Sequence, residues 1–228
     1  MSKRNRLIKA IKHPEWLLAV VFRRLSPFIK NDKFYLRILY FLEMKGKILH
    51  LENPRTFTEK LQWLKIYDYK PEYTQLVDKL AVKDYVASRI GKEYVIPTLA
   101  VWNSVEEIDW DSLPSQFVLK TTHGGGGCGV VVCTDKSKLD KETAIKKLRV
   151  SMHTNAGQIY REKPYLNVPR KIIAEKFIAE RKTHYENSFE ELKDYKFFCF
   201  GGKVKCFKID FGRFVEHHAN YYLSLIHI

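Results

Sequence analysis

The residues best placed to do chemistry lie between positions 116 and 134. The apolar run Phe117-Val118-Leu119 ends in Lys120. Thr121-Thr122-His123 follows, then glycine at 124, 125, 126, 127 and 129, and then Val130-Val131-Val132-Cys133. Glycines leave backbone N–H groups clear of any Cβ, so such a turn can close on the oxygens of an anion such as phosphate. Two familiar phosphate loops are excluded. Gly-Lys-Ser/Thr is absent, and no helical pattern follows the glycines. A strand on each side predicts a hairpin flap folded over a ligand. A plain hairpin turn needs two glycines, and here they fill five of the six positions 124–129. Lys120, at the end of the first strand, can reach a phosphate as a compact point charge. His123 has two readings: it orients a phosphate or acyl group, or it caps the turn.

The flap needs elements to hold it. Residues 1–50 alternate basic and bulky apolar side chains, which predicts two amphipathic helices broken near Pro27. Asn53-Pro54-Arg55 punctuates the chain. Thr56 with Glu59 makes a capping box, and Leu61, Trp63 and Leu64 supply an apolar face to the helix that follows. A second helix is expected from Asp78 as N-cap to Ile90, with Ala81, Tyr85 and Ser88 as its stripe and Gly91 as its stop. Residues 94–102 read as an edge or irregular strand because they contain Pro97. A helix is expected over 139–150 and a buried strand over Lys171–Ile178. Tyr195–Phe200 and Val204–Ile209 flank Gly201-Gly202 as a hairpin.

Composition sets outer limits. Hydrophobic residues make up 45% and aromatics 14%, enough for a packed core, and 40 Lys+Arg against 26 Asp+Glu give +14. That excess points to an anionic partner. Residues 1–50 hold twelve lysines and arginines against Glu15, Asp32 and Glu43, so +9 of the charge sits there. A basic helix of this kind can lie on an anionic membrane surface, or it can be an ordinary helical lobe with a solvated basic face. The longest apolar run, Trp16–Phe22, is too short to span a bilayer. It lacks a cleavage site, and Arg23 and Arg24 follow it, which argues against a secretory signal. Cys128, Cys133, Cys199 and Cys206 form no CxxC pair and are read as reduced, mostly buried thiols of a cytoplasmic protein.

Asp78-Lys79-Leu80, FVLK with THGGGGCGV, IIAEKFI and DYKFFCFGGKV occur in the order found in ATP-grasp ligases such as D-alanine–D-alanine ligase. NPRTFTEKLQWLK and DYKFFCFGGK make the chain resemble, over roughly residues 50–222, the TupA-like ATP-grasp family of bacterial surface-polysaccharide gene clusters. The resemblance implies an α+β, ATP-grasp-like fold, incomplete here and preceded by a basic helical segment. It implies ATP and Mg²⁺ as cofactors. Lys79 and Lys120 would meet phosphate oxygens, with Gly124, Gly125, Gly126, Gly127 and Gly129 as the flap. Glu175, Lys176, Phe177 and Ile178 would form the hinge strand, the backbone of Lys176 and Ile178 bonding adenine and Phe177 packing nearby. Asp194 would bond the ribose, although an insertion over 180–193 loosens that match. Lys196 either adds charge at the nucleotide or is a solvated strand lysine. The family's metal ligands are carboxylates and an amide on late strands. They are expected beyond Ile228, because Asp210 and Glu216, the last acids, do not fit the pattern. Asp210 with Arg213 is assigned to an acceptor or structural set, and His217 and His218 to the surface.

The resulting domain map is a basic helical segment (1–52), a helical region (53–115), a flap lobe with hinge strand (116–178) and the start of the core sheet (179–222). Residues 223–228, LSLIHI, translate CTG TCT CTT ATA CAC ATC, the mosaic end of a sequencing transposon, and are read as an adapter-derived tail. The implied intact protein is an ATP-dependent carboxylate–amine ligase that modifies a cell-surface polysaccharide through an acyl phosphate, and this chain alone is expected to be inactive. Its partners would be ATP and an acidic polysaccharide or amino acid. Peripheral contact at the inner face of an anionic membrane is open, and no specific nucleic acid is expected. The rival classes are a polysaccharide glycosyltransferase, for which only Asp109-Trp110-Asp111 offers a DxD motif, and a basic membrane- or RNA-binding module.

Overall fold

The computed structural model describes residues 14–125, 127–183, 186–190, 192–211 and 217–223. Gly126, Arg213, Glu216 and most of the proposed adapter tail therefore lie outside the described residues. The chain is α+β, with helices beside antiparallel sheets. It divides into two compact units, with the boundary between Lys176 and Phe177.

In the first unit, helices α1 (Pro14–Arg24) and α2 (Asp32–Glu43) flank Pro27, as the sequence pattern requires. Helix α3 (Phe57–Tyr67) starts at a complete capping box. Glu59 reaches back to the backbone N–H of Thr56 at 2.9 Å and of Arg55 at 3.0 Å, which holds its carboxyl well below the usual carboxylate range. The expected apolar face of α3 is not buried: Leu61, Trp63 and Leu64 are exposed, and Glu59 is the buried residue of the helix. Ile66 of the same helix packs instead against the buried cluster of Leu36, Tyr40, Leu49 and Leu51.

A short helix α4 (Tyr73–Val77) leads into α5 (Ala81–Ile90). Asp78 does cap α5, accepting from Leu80 N at 2.8 Å and Ala81 N at 3.3 Å, but the helix begins only at Ala81 and buries none of its stripe. Strands β1 (Thr98–Trp102), β2 (Phe117–Thr121), β3 (Val130–Cys133) and β4 (Ile172–Lys176) form an antiparallel sheet in the order β1-β4-β2-β3. Strand β1 takes the edge that Pro97 predicts. Strand β4 is central and ends two residues earlier than expected.

The sheet has two faces of different character. Phe117, Leu119, Cys133, Ile172 and Ala174 pack with Ala144 and Leu148 of helix α6 (Lys141–His153) in the core. Side chains such as Phe117 and Leu148 are fully buried, each contributing roughly 1.5–3 kcal/mol before conformational entropy is counted. The alternate residues point the other way. Val118 pairs with Glu175, and Lys120 with Ile173, so Lys120 and Glu175 are diagonal neighbours on the face opposite the core.

The second unit contains a hairpin of β5 (Glu180–Thr183) and β6 (Glu186–Glu190), which accounts for most of the insertion seen in the sequence. It also contains a three-stranded sheet of β7 (Asp194–Phe200), β8 (Lys203–Phe211) and β9 (His218–Leu223). Gly201 and Gly202 turn the β7–β8 hairpin at φ +56° and +75°, the left-handed pair that a two-residue turn demands. Strand β9 is not anticipated by the sequence pattern, and Leu223 belongs to it.

Candidate functional site

Lys120 and Glu175 meet because β2 and β4 are paired neighbours. Lys120 Nζ lies 2.5 Å from Glu175 Oε2. The other carboxylate oxygen takes Lys83 Nζ at 2.7 Å. Lys83 arrives from α5 and also donates to Ile96 O and to Thr98 Oγ1, both at 2.8 Å. Burial opposes the charge on Glu175, but the two lysines outweigh it and hold the carboxyl below its ordinary range.

Lys79 completes the cluster. Its backbone N–H donates to Thr122 O at 3.2 Å, and its ammonium donates to Gly124 O and to Thr122 O. Burial, then the positive charge of Lys120, pushes its pKa down against the pull of Asp78 and Glu175. The structure thus brings together Lys79, Lys120 and Glu175 at the root of the glycine hairpin. Three lysines there face Glu175 and the helix-capping Asp78. Lys83 was missed from sequence, although a signal existed: it stands four residues after Lys79, one helical turn on.

The glycines do two different jobs. A Cβ at Gly124 would come within 2.7 Å of Cys128 O and 3.2 Å of Ser151 Oγ. One at Gly129, held at φ +70°, would clash with the side chains of Ser151 and Thr121. Thr121 Oγ1 and Ser151 Oγ form a buried hydrogen bond of 2.8 Å beneath them. These two glycines are required for close packing. Gly125 and Gly127 have open space at the Cβ position, and Gly127 has φ +78°. Within the turn, Gly124 N donates to Thr121 O at 3.4 Å and Cys128 N to Gly125 O at 3.0 Å. Those two N–H groups are already engaged. Nothing in the local sequence announces Ser151, which comes from α6.

His123 is buried, and its Nε2 lies 3.1 Å from Ser151 O. A carbonyl only accepts, so Nε2 carries the proton and Nδ1 keeps its lone pair. Burial lowers the pKa of the ring, opposed by the hydrogen bond to the Ser151 carbonyl. His123 lines a cavity of about 590 Å³ with Gly124, Gly125, Cys128, Glu162 and Tyr165. Of the cysteines expected to be buried, only Cys133 is, while Cys128 and Cys199 are exposed and Cys206 is intermediate.

The remaining sequence candidates fall elsewhere. The backbone N–H of Lys176 donates to Pro97 O at 3.1 Å, so the β1 connection already uses that donor of the expected hinge. Phe177 and Ile178 belong to the second unit, as do Asp194 and Lys196. There Lys196 is no isolated strand lysine. It pairs with Asp194 and, at 2.8 Å, with Asp210. Asp210 is buried and also takes Lys208 and His217 Nε2, each at 2.8 Å. Asp194, then Asp210, raises the Lys196 pKa, while Lys196, then Lys208, holds Asp210 well below the usual range. His217 is therefore a partner of Asp210 as well as a surface residue.

These carboxylate oxygens are committed to cations. Among the described residues no group of three or more His, Cys, Asp or Glu is arranged to hold a metal ion. The described residues do not fit a Mg²⁺ centre. Asp109 of the DxD tripeptide accepts from Asp111 N at 3.1 Å and Ser112 N at 3.3 Å, so its carboxylate closes a surface turn.

An α+β chain with a glycine-rich hairpin rooted on converging lysines has the features of an ATP-grasp-type nucleotide-binding domain. The model of the TupA-like ATP-grasp family matches residues 59–225, and the chain belongs to that family. Comparison with curated proteins and with solved structures gives no significant match. Helices α1 and α2 precede the matched region.

Proposed function

We propose that this chain supplies the ATP-binding part of a carboxylate–amine ligase. The observation that carries the reading is the meeting of Lys79, Lys83 and Lys120 around Glu175 at the root of the glycine turn. A polyphosphate approaching this cluster gains charge-assisted hydrogen bonds from Lys120 and Lys79 and exchanges the strained company of like charges for a counter-ion. The open Cβ positions of Gly125 and Gly127 leave room for backbone approach at the tip. Phosphoryl transfer asks the protein mainly for positioning and charge stabilisation, and this cluster offers both.

In the reaction proposed, a substrate carboxylate attacks the γ-phosphorus of ATP, giving an acyl phosphate and ADP. An amine then attacks the acyl carbon, phosphate leaves, and an amide forms. The proposed setting is modification of a bacterial surface polysaccharide, with a uronic acid and an amino acid as the joined partners, in line with the family resemblance. Lys120→Ala should weaken ATP far more than AMP, by roughly 1.5–3 kcal/mol or about tenfold to hundredfold. Titration of both nucleotides against the wild-type and variant chains tests this. An equal loss for ATP and AMP would remove Lys120 from the phosphates.

A further inference from the structure

Helix α1 turns the wrong residues outward for a helix that only packs on its own protein. Ala19 is buried, and Trp16 and Phe22 are half-buried. Leu17, Leu18, Val21 and Leu25 are exposed, and their spacing of one, four and eight residues puts them on a single stripe. The stripe runs into Phe28, which is 81% exposed at the connection to α2.

That connection is held in place. Arg161, itself buried, donates to Ser26 O at 3.1 Å and to Ile29 O at 2.5 Å. It lies 2.9 Å from Asp32 Oδ1 and 4.1 Å over the Tyr35 ring. The backbone on both sides of Phe28 is therefore fixed, with the ring presented outward. Arg24 and Lys30 beside it are exposed as well.

We infer that the α1 stripe and the Phe28 tip form a docking surface for an anionic lipid bilayer, with the chain lying on the membrane surface. No helix among the described residues is long and apolar enough to cross one. Two features choose the occupant. Aliphatic side chains gain from hydrocarbon, which a lipid surface offers and a nucleic-acid backbone does not. The charge of the first fifty residues, twelve basic side chains against three acids, attracts anionic headgroups, and it would repel a second copy of the same surface. This surface lies outside the region matched to the family and does not depend on the ligase reading.

Vesicle flotation of the full chain is the test, using phosphatidylcholine with and without phosphatidylglycerol. The wild type should float with the anionic vesicles only. The double variant Leu18→Glu/Phe28→Glu should bind about tenfold more weakly or worse, as should Arg24→Glu/Lys30→Glu, and added salt should release the wild type. All four positions are exposed, so both variants should keep the wild-type circular dichroism melt and ATP affinity. The inference is overturned if the wild type does not float, if neutral vesicles serve equally well, or if both variants float like the wild type. Self-association lost in Leu18→Glu/Phe28→Glu, without flotation of the wild type, would assign the stripe to a second copy instead. Retention of single-stranded RNA without flotation would likewise overturn it.

Discussion

Each unit buries one carboxylate among lysines, and the two differ in their charge balance. Glu175 answers Lys83 and Lys120, with Lys79 close by and Asp78 occupied as a helix cap. Asp210 and Asp194 answer Lys196 and Lys208, with His217 as a further partner. The first cluster has cationic excess at the root of an open glycine turn; the second is close to neutral. Their supports also differ. Glu175 sits on the central strand of a sheet backed by the α6 core. Asp210 lies on a small sheet whose other face carries the Phe197–Phe207–Tyr222 stack, with Phe197 59% exposed.

The largest effect should come from Glu175→Ala. Removing the acid leaves Lys83 and Lys120 partly buried without their counter-charge, a loss of about 3–5 kcal/mol. Asp210→Ala should cost less, because Lys196 and His217 are open enough to be hydrated again. Hydrogen exchange resolved on β2 and β4 against β7 and β8 compares the two, and equal losses would break the contrast. The glycines sharpen the comparison within the first unit. Gly129→Ala should destabilise by more than about 1 kcal/mol, given its positive φ and the side chains of Ser151 and Thr121 beneath it. Gly125→Ala, with open space, should stay within about 0.5 kcal/mol in chemical denaturation. A reversal of that order would mean that the turn packs differently.

The smallest effects should appear in alkali, with opposite signs. The folded pKa of Lys79 is lowered. Between that value and the ordinary lysine pKa of about 10.4, the unfolded chain binds more protons, so stability should rise with pH. The pKa of Lys196 is raised. Its contribution is fully present below about 10.4 and is lost as pH rises through the folded value. Unfolding curves of Lys79→Met and Lys196→Met should each lack one of these slopes, that of Lys196 being slight because its side chain is 41% exposed. The same slope surviving in both variants would assign it to other groups.

By itself, the sequence determined whatever depends on neighbours along the chain. The capping box of Thr56 and Glu59, the break near Pro27, the strand–glycine–strand hairpin and the Gly201-Gly202 turn are local, set by backbone dihedrals and short-range hydrogen bonds. Strand β9 and the β5–β6 hairpin were not legible, because their pattern is too weak to stand apart from loop. The aromatic face was only partly legible. Phe197 and Phe207 pair across the β7–β8 hairpin, but Tyr222, which completes their stack, comes from the strand that was not legible, and a register shift between Phe198 and Cys199 interrupts the alternation of β7. Tertiary structure alone decided which charges meet. Lys83 reaches Glu175 across 92 residues because its side chain, leaving α5, also bonds Ile96 O and Thr98 Oγ1 at the edge strand next to β4. Ser151 fixes two glycines because α6 backs that sheet on the other side. Contacts of such separation follow from strand order and packing, and no short-range rule of spacing encodes them.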